Sequence, residues 1–91
     1  MERITTLHPD PSKEGVSIDR AKYEQIRGAI NAVLDEQGEC SFTELTEEVE
    51  EYLGDRFDGS IPWYVTTVKL DLEARGEIRC NRSQKRQTIR R

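Results

Sequence analysis

The stretch WYVTTVKLDLEARGEI, Trp63 to Ile78, decides the fold. At 3.6 residues per turn, Ile61, Tyr64, Val65, Val68 and Leu72 fall on one face of a helix, and Trp63, Thr67, Leu70 and Ala74 on the opposite face. A helix that is apolar on two sides is sandwiched between neighbours. Ser60 is a natural N-cap and Pro62 fits the first turn, where a missing N–H costs nothing. Gly76 stops the helix. The chain then passes at once into a strand, Glu77 to Asn81, with Ile78 and Cys80 on one side. A polar turn over 81–85 leads to a return strand, Arg86 to Arg90, with Gln87 and Ile89 on one face.

Working back from this stretch, two more helices supply the packing partners. Asp19 to about Gln37 is the first. Ser17 or Asp19 caps it, Tyr23, Ile26, Ile30, Val33 and Leu34 form one apolar stripe, and Gly38 follows. The second begins at a capping box, Ser41 with Glu44, flanked by a hydrophobic staple of Cys40 and Leu45. Its stripe is Phe42, Leu45, Val49, Tyr52 and Leu53, and Gly54 ends it. Glu44, Glu47, Glu48, Glu50 and Glu51 fill the remaining circumference, which is either a solvated face or a docking surface for a basic partner. The loop from Gly54 to Gly59 turns Phe57 inward and lacks the alternating carboxylates of a calcium loop.

The N-terminal arm, residues 1–17, contains Pro9, Pro11 and Gly15, which exclude regular helix. Ile4 and Leu7 are its large apolar residues before Val16, so it either docks on a groove or trails loosely. Residues 18–91 form the domain proper. With 34% apolar and 35% charged residues in 91, the core is small. No apolar run of about 18 residues predicts a membrane span, and the opening has no apolar signal region. A cytoplasmic protein is expected. Cys40 and Cys80 form no CxxC pair, and with His8 they make a metal site improbable, so both are expected to be small apolar residues.

Charge is segregated. Residues 1–74 hold 7 Lys/Arg against 17 Asp/Glu, whereas residues 75–91 hold 7 Lys/Arg against Glu77 alone. An acidic body carries a basic tail. Neither a Gly-rich phosphate loop, a cofactor motif nor a catalytic triad spacing is present, so no catalytic residue is assigned and an enzyme is not expected.

Three helices followed by a hairpin, joined through the EARGEI segment Glu73–Ile78, resemble the winged helix-turn-helix superfamily, an α+β, mainly α fold with a C-terminal β-hairpin wing. The arm HPDPSKEGVSIDRAKY, then FTEL, then WYVTTVKLDLEARGEI and the terminal Arg90-Arg91 are similar to a family of short single-domain bacterial proteins of unknown function. The superfamily resemblance implies that the third helix enters the major groove and the wing touches phosphate. The groove-facing side would then be Trp63, Thr66, Thr67, Lys69, Leu70 and Glu73, where Lys69 alone is a residue type favoured for base readout. Expected phosphate contacts are Lys69, Arg79, Arg82, Lys85 and Arg86, making DNA a candidate partner through a basic wing. The competing expectation is a protein-interaction module. In it Trp63, Thr67, Leu70 and Ala74, or the acidic second helix, meet a second copy or another protein.

Overall fold

The structure is a computed structural model that describes residues 2–81 and 87–91. Its order is β1 (Arg3–Thr5), β2 (Ser17–Asp19), α1 (Arg20–Gln37), β3 (Glu39–Ser41), α2 (Phe42–Leu53), a 3-10 turn (Gly54–Arg56), α3 (Ile61–Ala74), β4 (Arg79–Asn81) and β5 (Thr88–Arg90). The fold is α+β: three helices and two small antiparallel sheets around one core. The expected turn over 81–85 and the start of the return strand at Arg86 fall, apart from Asn81, outside the described residues.

The helices form where their signals lie. Asp19 caps α1 by accepting from the Ala21 amide, and Gly38 closes it at φ 79°. The capping box at α2 is complete: the Glu44 amide donates to Ser41 Oγ, and the Ser41 amide donates to Glu44 Oε1, both at 3.1 Å. Ser60 caps α3 with Pro62 in its first turn. At the far end of α3 the Gly76 amide donates to Glu73 O and the Glu77 amide to Leu72 O, at 3.1 and 2.9 Å. That is a Schellman closure. It needs a left-handed residue at Gly76, whose φ is 78°.

The core joins Tyr23, Ile26, Ala29, Ile30, Val33 and Leu34 of α1 to Leu45, Val49 and Leu53 of α2 and Val65, Val68 and Leu72 of α3. Phe57 turns in beneath them, and Ile78 and Ile89 close the end beside the sheet. Burying Val, Leu and Ile side chains contributes about 1.5–3 kcal/mol each, so these positions carry the fold. Tyr52 departs from the expected stripe. It is 53% exposed near the C-terminal end of α2, while Leu53 beside it is buried in the core.

Two pairings were not anticipated. Strand β3 lies between α1 and α2 and pairs with β5, giving a three-stranded sheet in the order β3-β5-β4. Glu39–Ser41 is too short to show alternation, and its partner is close to the other end of the chain. The arm forms a second sheet. Arg3, Ile4 and Thr5 pair with Asp19, Ile18 and Ser17, and the Arg20 amide extends the ladder to Glu2 O at 3.0 Å. Buried Thr6 locks the neck of the intervening loop: its amide donates to Val16 O, and the Val16 amide donates to Thr6 Oγ1, at 2.8 and 3.0 Å. Gly15 is required there, because a Cβ would lie 1.7 Å from Thr6 O. Among the described residues, no helix is long and apolar enough to cross a membrane.

Candidate nucleic-acid interface

The exit from α3 builds the basic element. The Schellman turn at Gly76 delivers Ile78 to the core, and β4 runs antiparallel to β5. Cys40, Ile89 and Cys80 stand side by side across the three strands on the inner face. Cys40 and Cys80 are therefore two strand spacings apart, about 9–10 Å, beyond the roughly 7 Å a disulfide tolerates. Neither is in a disulfide. Burial, and then the nearby Glu44, Glu48 and Glu39 carboxylates, push the Cys40 thiol up to about 11. It stays protonated and unreactive at neutral pH.

The outer face of the same strands carries charge. Glu39, Arg90 and Arg79 form the matching cross-strand row, and all three are exposed. Arg79 and Arg90 are directly opposite each other, a like-charge pairing that costs a ribbon stability, while Glu39 faces Arg90 from its other side. Of the expected phosphate contacts, Arg79 is here on the outer face. Arg82, Lys85 and Arg86 lie outside the described residues. Arg90, which the sequence reading left out of its phosphate set, is the cross-strand neighbour of Arg79.

Lys69 is elsewhere. It is 3% exposed, and its ammonium donates to Gln87 Oε1 at 2.8 Å. The Nζ also lies 5.5 Å from the Phe42 ring centroid and 4.0 Å from Glu73 Oε2. A helix position at the rim of the buried arc leaves a long side chain two routes, outward or along the neighbour. Here the stem runs under the ribbon.

The outward face of α3 thus keeps Trp63, Thr66, Thr67, Leu70 and Ala74. Trp63 is 48% exposed, Thr66 is exposed, and Thr67, Leu70 and Ala74 are half-buried. The Trp63 ring packs edge-on to Tyr64 at 4.9 Å, and Tyr64 packs on Phe57 at 5.1 Å. The four residues expected to form a partner stripe do share this face.

On the other flank of α3 stands a group the sequence reading missed. Asp71 is fully buried. Its carboxylate accepts from the Tyr23 hydroxyl, from the Leu7 amide at 2.8 Å, and from Arg75 Nε at 3.0 and 2.9 Å. Burial, together with the hydrogen bond to Asp71 and its charge, pushes the Tyr23 hydroxyl well above its ordinary range. The same carboxylate holds the Arg75 guanidinium more firmly protonated. Arg75 at i+4 was the available sequence signal for a paired Asp71. The arm thereby docks on α3 through Leu7. Among the described residues, no group of three His, Cys, Asp or Glu is placed to hold a metal ion.

A family model matches residues 3–89, nearly the whole chain, and the chain belongs to that family, which is described as a family of unknown function (DUF6958). This accords with the resemblance to short proteins of unknown function. No curated protein and no solved structure matches the chain.

Proposed function

We propose that this member of the family is a winged-helix, non-enzymatic module that binds DNA through phosphates, with the β4–β5 ribbon as its contact element. The order of three helices and a ribbon, with β3 completing a β3-β5-β4 sheet, supports the winged-helix reading. The observation that carries the function is the exposed Arg79–Arg90 cross-strand pair. Two like charges held opposite each other are relieved by nearby anions. Glu39 flanks Arg90 on the side away from Arg79, and a phosphate backbone supplies a row of anions that can meet Arg79 and the exposed side of the pair. The tail's sequence adds Arg82, Lys85 and Arg86 to the same segment. The outward face of α3 offers threonine hydroxyls and a tryptophan but none of the Arg, Lys, Asn or Gln side chains that read bases. Sequence-tolerant, wing-led binding follows from that composition.

The test is fluorescence anisotropy with random-sequence duplex DNA, titrated across salt. Binding at roughly micromolar strength that weakens steeply with salt is expected. Charge reversal at Arg79→Glu with Arg90→Glu should flatten the salt dependence by about two phosphate contacts. A double variant that binds as well as the wild type refutes the reading.

One observation favours a second reading, a protein-docking module. Half-exposed Trp63 stands on a face whose Lys69 has turned inward, leaving a mainly apolar and hydroxyl-bearing stripe with Thr67, Leu70 and Ala74, edged by part-buried Glu73. Such a face fits a second copy or another protein better than it fits phosphate. Sedimentation at high concentration separates the homodimer version: a monodisperse monomer removes it.

A further inference from the structure

We infer that Lys69 is a positioning residue of the phosphate-binding ribbon: its buried ammonium fixes β5 to α3 and α2 and does not itself meet the nucleic acid. This rests on the proposed DNA binding for its functional consequence, while the clamp itself concerns the free protein.

Lys69 reaches three elements from one helix position. Its Nζ donates to the side chain of Gln87, one residue before β5. It lies over the ring of Phe42, the first residue of α2. Within α3 it approaches Glu73 at i+4. The backbone repeats the junction, because the Phe42 amide donates to Gln87 O at 3.0 Å. Gln87 is therefore held twice: its carbonyl oxygen by α2 and its amide side chain by Lys69. A lysine that is 3% exposed has given up hydration of its charge. That cost is offset where the ammonium meets an amide oxygen, an aromatic face and a carboxylate. The arrangement fixes β5 where it begins, beside the Asn81–Thr88 pair, and through β5 the direction in which Arg90 and its cross-strand neighbour Arg79 present their charges. Bending Lys69 outward to a phosphate would break the bond to Gln87 and uncover the Phe42 ring.

The experiment compares Lys69→Met, Lys69→Arg and Gln87→Leu with the wild type in two measurements. Amide exchange in the free protein reads the clamp. In Lys69→Met, protection of the Phe42 amide and the β5 amides should fall about tenfold relative to that of α1, with Lys69→Arg recovering part of it. DNA anisotropy across salt reads the consequence. Affinity should fall while the salt slope stays at the wild-type value, because no phosphate contact has been removed. A slope lower by about one, with Phe42 protection unchanged, would show a direct phosphate contact and overturn the inference. Unchanged protection and unchanged slope together overturn it as well. Should Lys69→Met fail to fold, Gln87→Leu decides: it removes the acceptor at a half-buried site and must reproduce the loss of Phe42 protection. Should the wild type not bind DNA, the proposed function fails, and the exchange measurement still decides the clamp.

Discussion

The two flanks of α3 each bury one charge, and they do it differently. On the flank that faces the N-terminal arm, Asp71 collects a hydroxyl, a backbone amide and a guanidinium. On the flank that faces β5, Lys69 reaches a neutral amide side chain, with an aromatic ring and a carboxylate at longer range. Asp71 is closed by an ion pair on its own helix, so its charge is met whether or not the arm is in place. Lys69 gains its short hydrogen bond from the far end of the chain. The lesson is one of dependence. The arm leans on a node that is already complete, while the ribbon supplies part of the node on which it rests.

That contrast makes Asp71→Ala the largest expected loss. The substitution leaves the Tyr23 hydroxyl and the Leu7 amide without their acceptor and Arg75 without its counter-ion. Arg75 is exposed and returns to solvent, so the cost is chiefly that of the two donors left without an acceptor, about 1–3 kcal/mol each. For a domain of this size, that lowers Tm by more than about 10 °C. Thermal unfolding followed by circular dichroism measures it. If Lys69→Met costs as much as Asp71→Ala, the two flanks are equivalent and the contrast fails.

Tyr23→Phe sharpens the same flank at smaller cost. It deletes one hydrogen bond to a charged acceptor, worth about 1.5–3 kcal/mol. It also has a pH signature. The Tyr23 hydroxyl is raised in the folded chain, chiefly by burial and then by the hydrogen bond and charge of Asp71. An unfolded tyrosine releases its proton near pH 10, before the folded one does. Stability from this group is therefore complete below about pH 10 and declines as pH rises above it. Urea midpoints between pH 7 and 11 should fall more steeply for the wild type than for Tyr23→Phe. Parallel curves would mean that Asp71 does not hold the hydroxyl.

The difference between the flanks also explains what the sequence could disclose. Local signals were readable: the Ser41–Glu44 box, the α1 stripe, the Gly76 stop and the alternation of Ile78 with Cys80 all act within a few residues. Long-range pairings were not. Strand β3 needs Thr88–Arg90 to be recognised as a strand, and β1 needs β2 across a loop punctuated by prolines. At the site, the shared face of Trp63, Thr67, Leu70 and Ala74 follows from helical spacing alone. The inward turn of Lys69 does not, because a long stem at the edge of a buried arc is directed by neighbours remote in sequence, here Gln87 and Phe42. Asp71 was hidden for the same reason: its donors Leu7 and Tyr23 lie 64 and 48 residues away.

The smallest effect tests whether charge itself holds the C-terminal end. Arg91 pairs with Asp35 and donates to Asn31 Oδ1 at 3.1 Å, tying the chain end to α1. Both members of the ion pair are roughly half exposed, so solvent screens their attraction. Arg91→Ala should cost no more than about 1 kcal/mol, and less still near 1 M salt. Denaturant unfolding at low and high salt provides the comparison. A larger loss that persists at high salt would place the anchorage of β5 at its exposed end. A small, screened loss places it at the half-buried Gln87 junction, where the ribbon's dependence on Lys69 already lies.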